Sequence, residues 1–279
     1  MRSFLLPIAW CGSLLTAQAQ SPSATDSTGM PGDQFSLQGA LDAFKHAIDL
    51  EQFETALNTE SNHVNNLDLN GDGQTDYVRV ESQREGDAVA ITLRVPVGPK
   101  EDQDVAVIEL EKTGAESAVL QIRGDEELYG KDMIVEPAEE DMEKGTKGPH
   151  APILVAAPLV VVNVWNWNPV PWCFSGRYYP YVSAWSFGRY PPWWRPWHPH
   201  PWRAWWAFSA HYRTWYRPWA SCRVVRAHAL YAPRRVTSPA VRARYRAVHE
   251  RVPAARPVRT APAKPARTPA RRPARGGRR

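Results

Sequence analysis

Hydrophobic positions in this chain change period along its length. Leu37, Leu41, Phe44 and Ile48 recur at steps of four, three and four, which lines them along one face of a helix. Leu50, Phe53 and Leu57 continue at steps of three and four on a shifted face, so the helix either bends near Asp49 or divides in two. Beyond residue 77 the period falls to two. Val78 and Val80 alternate with Arg79 and Glu81, and Val89, Ile91, Leu93, Val95 and Val97 follow the turn 84–87. Ile108 and Leu110, then Leu120 and Ile122, continue the alternation. Short connections between these runs predict antiparallel pairing. Charge at the intervening positions, Glu109, Glu111 and Arg123 among them, predicts a sheet with one buried and one wet face. The expected fold over residues 34–140 is therefore α+β: an N-terminal helix packed on a small antiparallel sheet of about four to five strands.

The pattern then breaks. Residues 141–150 are polar and read as a linker, and 151–252 form a Trp/Arg/Pro-rich region with short helices. Twelve of the thirteen tryptophans lie between Trp165 and Trp219. Trp202, Trp205, Phe208, Tyr212, Trp215 and Trp219 are spaced to form an aromatic stripe on one helix over 202–219, with Arg203, Arg213 and Arg217 elsewhere around it. Ser238 offers an N-cap with Pro239 at the first helical position. Residues 253–279, rich in Pro, Ala and Arg, cannot build a core and are expected to be disordered.

The N-terminus adds a location. A basic start, an apolar run from Phe4 to Leu15 and the exit Ala17-Gln18-Ala19 describe a cleavable secretory signal over 1–19, with a flexible leader over 20–33. Cys11 is a weaker candidate for lipidation, since bulky Trp10 precedes it and the apolar run continues past it. The apolar stretch 151–165 is interrupted by Pro158 and Asn163 and falls short of the ~20 residues of a spanning helix. The expectation is export to the periplasm, outer envelope or extracellular space. In an oxidising compartment Cys173 and Cys222 read as a disulfide, which would stabilise by roughly 4 kcal/mol if unstrained.

Charge divides the chain. Residues 1–150 carry 28 acidic and 11 basic side chains, whereas residues 151–279 carry 23 basic and one acidic, Glu250. Such a split implies two regions with different partners, or with each other as partner.

The stretch DLNGDGQTD, residues 68–76, is the strongest chemical motif. Calcium takes six to eight oxygen ligands from a tightly curled loop. Asp68, Asn70 and Asp72 stand at alternate positions, Gly73 permits the sharp bend, Gln74 offers its carbonyl oxygen, and Asp76 follows. A plain hairpin turn explains Asn70-Gly71 and Asp72-Gly73, but leaves Asp68 and Asp76 adding repulsion to an acidic region. Arg79 at the twelfth position departs from an EF-hand. The motif more closely resembles the shorter aspartate-rich calcium loops of integrin-type propeller repeats and dockerin-like modules. That resemblance covers about ten residues and implies a structural Ca²⁺ with no fold attached.

Other chemistry is sparse. His198 and His200 stand two apart between prolines, with no nearby carboxylate to complete a transition-metal site. No phosphate loop, nucleophile elbow or Cys–His pairing with a recognisable context occurs, so a non-catalytic protein is expected. The aromatic region admits three readings: a packed core, a surface binding anionic glycan or lipid, or a track for single-stranded nucleic acid. Export disfavours the last. The order of DLNGDGQTDYVRV, DQDVAVIELEK, VLQIRGDEELYGKDMIVEP and VVVNVWNW resembles that of uncharacterised exported proteins of Bacteroidota-type bacteria. The resemblance implies export and architecture, and no activity. The leading expectation is a calcium-stabilised envelope protein whose Trp202, Arg203, Trp205, Arg213, Trp215, Arg217 and Trp219 meet an anionic surface. The alternatives are a self-contained structural protein whose basic half packs on its acidic half, and an envelope hydrolase with an unrecognised carboxylate pair.

Overall fold

The computed structural model describes residues 27–130, 133–138, 161–219 and 221–251. The expected signal, linker and basic tail lie outside the described residues, as do 151–160. Among the described residues no helix is long and apolar enough to cross a membrane.

The fold is α+β, built on a six-stranded antiparallel sheet in which each strand pairs with the next in sequence. Its strands are β1 (Arg79–Glu85), β2 (Ala88–Gly98), β3 (Glu101–Gly114), β4 (Ser117–Gly124), β5 (Ile134–Pro137) and β6 (Tyr216–Trp219). The four strands with clear alternation were expected, and the short β5 falls within the expected four to five; the distant β6 takes the sheet beyond that count. The N-terminal helix is two helices, α1 (Leu37–His46) and α2 (Leu50–Leu57). Ser36 caps the first by accepting from the Gly39 N–H, and Asp49 caps the second by accepting from the Gln52 N–H. The break at 47–49 leaves Ile48 67% exposed, off the stripe that buries Leu37, Leu41 and Phe44. Residues 27–33, expected as part of a flexible leader, are folded: both carboxylate oxygens of Asp33 accept from Ser27, Thr28 and Gly29, and Met30 is buried.

Both faces of the sheet are covered. Val80, Leu93, Ile108, Leu110, Leu120 and Ile122 point toward α1 and α2 in one continuous core, which also takes Trp167, Val170, Tyr212 and Tyr216 from the aromatic region. A buried carboxylate ties this side together. Glu54 of α2 accepts from the hydroxyls of Tyr77 and Ser183, each at 2.8 Å, from Tyr181 at 3.3 Å and from the Val80 N–H at 2.9 Å. Burial raises its pKa, opposed by those four hydrogen bonds.

The opposite face was expected to be wet, and it is not. Helix α6 (Val225–Tyr231) lies across β2 and β3, with Leu230 and Tyr231 against Ala90 and Val107, and Val224 and Ala227 against Ala88. Asp104, Glu109 and Gln121 are 0% exposed. The alternation of charge along β3 correctly separates two faces, but the polar one is covered by protein. Arg94 and Gln121 of neighbouring strands donate to Asp104 and Glu109, and Arg226, His228 and Tyr231 reach the same strand from far along the chain.

The helix expected over 202–219 is three elements. Helix α5 (Trp202–Phe208) passes into a 3-10 turn at Ser209–Thr214, and the chain then extends as β6. Tyr216 through Trp219 pair with Pro137 through Ile134, completing the exposed edge of β5. Edge pairing outcompetes the helical period here, and Pro218 is tolerated at a sheet edge. Three further helices are α3 (Glu126–Tyr129), α4 (Pro169–Cys173) and α7 (Pro239–His249). The last is capped by Ser238, whose hydroxyl accepts from the Val241 N–H.

Candidate functional site

The loop 68–76 lies ahead of β1 and is closed by its own backbone. Gly71 and Gly73 adopt positive φ, 73° and 80°, which fits their lack of a Cβ. The carboxylate of Asp68 accepts from the N–H groups of Gly71, Asp72 and Gly73 at 2.7, 3.1 and 2.9 Å. Asn70 accepts from the Asp72 N–H, and Asp72 accepts from the Gln74 N–H. Asp76 turns back to accept from the Leu69 N–H at 2.5 Å, while its own N–H donates to the Leu67 carbonyl. Among the described residues no strand leads into the loop, so it is not a two-residue hairpin turn.

Asp76 is 7% exposed, and no basic side chain lies within 4 Å of it among the described residues. Burial, reinforced by the charges of Asp68 and Asp72, pushes its pKa up to about 7. The donors are oxygens, as calcium requires, and each carboxylate keeps lone pairs beyond the hydrogen bonds it accepts. Among the described residues, however, no three acidic or histidine side chains converge as a metal-binding group. Neighbours from far along the chain also press on the loop. The Arg244 guanidinium of α7 donates to the Asn70 carbonyl and occupies the space a Cβ at Gly71 would need. Tyr245 donates to the Asp68 carbonyl, and His198 Nδ1 lies 2.8 Å from the Gly73 oxygen. His198 is thereby a partner of the loop, while His200 faces Glu60 at 3.6 Å.

The expected surface-binding residues do not share a stripe. Trp205 is buried, its indole N–H donating to the Asp33 carbonyl. Trp202 is half-buried and tilted against Trp206, their centroids 5.2 Å apart. Arg213 lies over the Trp206 ring at 3.3 Å from its centroid. Trp215, Arg203 and Arg217 are exposed, and the side chain of Trp219 lies outside the described residues. Trp206, seven positions before Arg213, is the functional-looking residue that the stripe arithmetic passed over.

The basic C-terminal segment meets the acidic strands in a chain of specific contacts. Glu111 of β3 accepts from the N–H groups of Arg226 and Ala227 at the start of α6, and from the Arg226 guanidinium. Glu101, at the other end of β3, accepts from the Ser238 hydroxyl and the Ala240 N–H at the start of α7. Between them, Asp104 accepts from Tyr231 and the Val236 N–H, and Glu109 lies 2.6 Å from His228 Nδ1. One strand thus supplies carboxylates to the N-termini of two helices, where negative charge is favoured.

The expected disulfide is absent from this arrangement. Cys173 and Cys222 are free thiols. Cys173 belongs to the core on the α1/α2 side, whereas Cys222 accepts from Gln121, which faces the other side of β4. The sheet stands between them. Burial pushes the Cys173 thiol up to about 12.

Comparison of this chain with protein-family models, with curated proteins and with solved structures finds no match.

Proposed function

We propose that this is an exported, non-catalytic cell-envelope protein that attaches to anionic glycan or lipid headgroups through residues 177–217. One observation carries the reading. Residues 161–219 contain six arginines and no carboxylate, and none of the six lies within 4 Å of a carboxylate among the described residues. Downstream, Arg223, Arg226, Arg235 and Arg242 are each paired with an acidic residue. Arg177, Arg189, Arg195, Arg203 and Arg217 are exposed, with Tyr179, Phe187, Trp193 and Trp215 exposed among them. Guanidinium forks match phosphate and carboxylate, and aromatic side chains suit a half-wet interface. The N-terminal signal pattern supports the location.

The test uses the full chain from Gln20. It should float with anionic vesicles or co-sediment with an acidic polysaccharide and lose either binding at high salt, and it should lose flotation with the double change Arg177→Glu, Arg189→Glu. Equal binding to zwitterionic vesicles, or no effect of the double change, sinks the proposal. The second outcome would favour the reading in which the basic half only completes the acidic half. That reading is supported by the contacts of Glu101, Glu111 and Asp104 with α6 and α7.

A structural calcium at the 68–76 loop is part of the same proposal. Its support is Asp76, a buried carboxylate that accepts from the Leu69 N–H and has no basic side chain within 4 Å among the described residues. Asp68, Asp72 and Asp76, with Asn70 and the Gln74 carbonyl, would hold the ion, which would supply the missing positive charge.

A further inference from the structure

A cavity of about 330 Å³ opens where α1, α5 and β6 meet, with Gln38, Trp202, Trp206, Ser209, Arg213 and Tyr216 in its wall. Its volume falls at the small end of ligand sites, which span about 300–1,000 Å³. Three features of the wall ask for different parts of one ligand.

The first is a cation with no carboxylate within 4 Å among the described residues. Arg213 donates to the Trp206 carbonyl at 3.2 Å and to the Ser209 hydroxyl at 3.1 Å. Those two bonds leave other N–H groups of its fork free. Asp33, the acidic residue in the wall, has both carboxylate oxygens engaged by Ser27, Thr28 and Gly29 and forms no ion pair with Arg213. Partial burial lowers the guanidinium to about 10, which keeps it charged at neutral pH. The second feature is the pair of indole rings, Trp202 and Trp206, tilted by 44° to each other. The third is Gln38, whose side-chain amide makes no hydrogen bond among the described residues.

We propose that this cavity seats an acidic pyranose, with the sugar carboxylate on the Arg213 guanidinium. The ring's C–H face would lie against the indoles and its hydroxyls would reach the Gln38 amide. The inference deepens the proposed attachment to anionic glycan by naming a seat and a ligand class, and it can fail separately from it. A half-buried guanidinium suits a small acid that enters the cavity better than a headgroup fixed in a bilayer plane.

The experiment is calorimetric titration of the full chain from Gln20 with tetragalacturonate and with neutral maltotetraose, beside flotation with anionic vesicles. Tetragalacturonate should bind at least tenfold tighter than maltotetraose. Arg213→Met should weaken it by about ten- to a hundredfold, the range of a charged hydrogen bond. Arg213→Lys should fall between, and Gln38→Ala should weaken both sugars alike. Arg177→Glu with Arg189→Glu should leave sugar binding intact while abolishing flotation. Equal affinity for the two sugars overturns the proposal, as does wild-type affinity in an Arg213→Met protein with an unchanged melting midpoint. Flotation without sugar binding defeats the cavity alone; sugar binding without flotation defeats the vesicle surface alone.

Discussion

The guanidinium of Arg235 grips the fully buried carboxylate of Asp125 through two hydrogen bonds, at 2.5 and 3.1 Å, across 110 residues of sequence. Asp125 is also the N-cap of α3, and it accepts from the buried Gln103 amide near the start of β3. The pair joins the acidic sheet to the connection between α6 and α7. Removing one partner strands the other.

Arg235→Met should therefore destabilise the protein by about 3 kcal/mol, because Asp125 is left buried without its cation. Asp125→Asn in the same background should recover much of that loss. Urea denaturation of the two single variants and the double variant measures the coupling; additive losses would mean that the contact contributes little.

Glu54 offers a pH test. Burial raises its folded pKa above the ordinary 4.5 despite the bonds from Ser183, Tyr77, Val80 and Tyr181. Between 4.5 and the raised value the folded state holds a proton that the unfolded chain has released. Stability must then fall as pH rises through that window. Glu54→Gln removes the dependence, so the stability difference between wild type and variant should shrink from pH 4.5 upward. A difference that grows with pH would show that the four hydrogen bonds outweigh burial.

Calcium should raise the melting midpoint of the wild type relative to chelator, and Asp72→Ala should abolish the gain. For an affinity of about 10⁻⁴ to 10⁻³ M, 10 mM calcium stabilises by about 1.4 to 2.7 kcal/mol. Identical midpoints in calcium and chelator would remove the ion and leave the loop held by its own hydrogen bonds.

The two thiols should differ in reactivity. Cys173 is buried in the core with its pKa pushed up to about 12, whereas Cys222 is only partly covered. Alkylation of native protein followed by peptide mapping should modify Cys222 and spare Cys173 until denaturant is added. A linked peptide pair, recovered without added oxidant, would restore the disulfide and require a different path for one of the two segments.

Several elements were legible because their signal is local. Leu37, Leu41 and Phe44 share a helix face at any position in a protein, and Val89 through Val97 alternate whatever covers them. Gly71 and Gly73 mark a tight bend, and the bend is there. Ile48 misled because the period continues through a residue that the chain break turns outward. The aromatics from Trp202 to Trp219 misled for another reason: the open edge of β5 draws residues 216–219 into the sheet, and a one-dimensional period does not contain that edge. The contacts of Arg244 and Tyr245 with the loop 68–76 had no sequence signal, since more than 170 residues separate the partners.

The sequence by itself determined the α+β class, the first four strands, the cap at Ser238, and the division of charge. These follow from steric and hydrogen-bonding preferences that act within a few residues. Only the tertiary structure decided that the charged face of the sheet is covered, that Cys173 and Cys222 stand on opposite sides of it, and which arginines keep no carboxylate. A buried charge is stable only beside its partner, and where that partner lies in the chain depends on how distant segments pack.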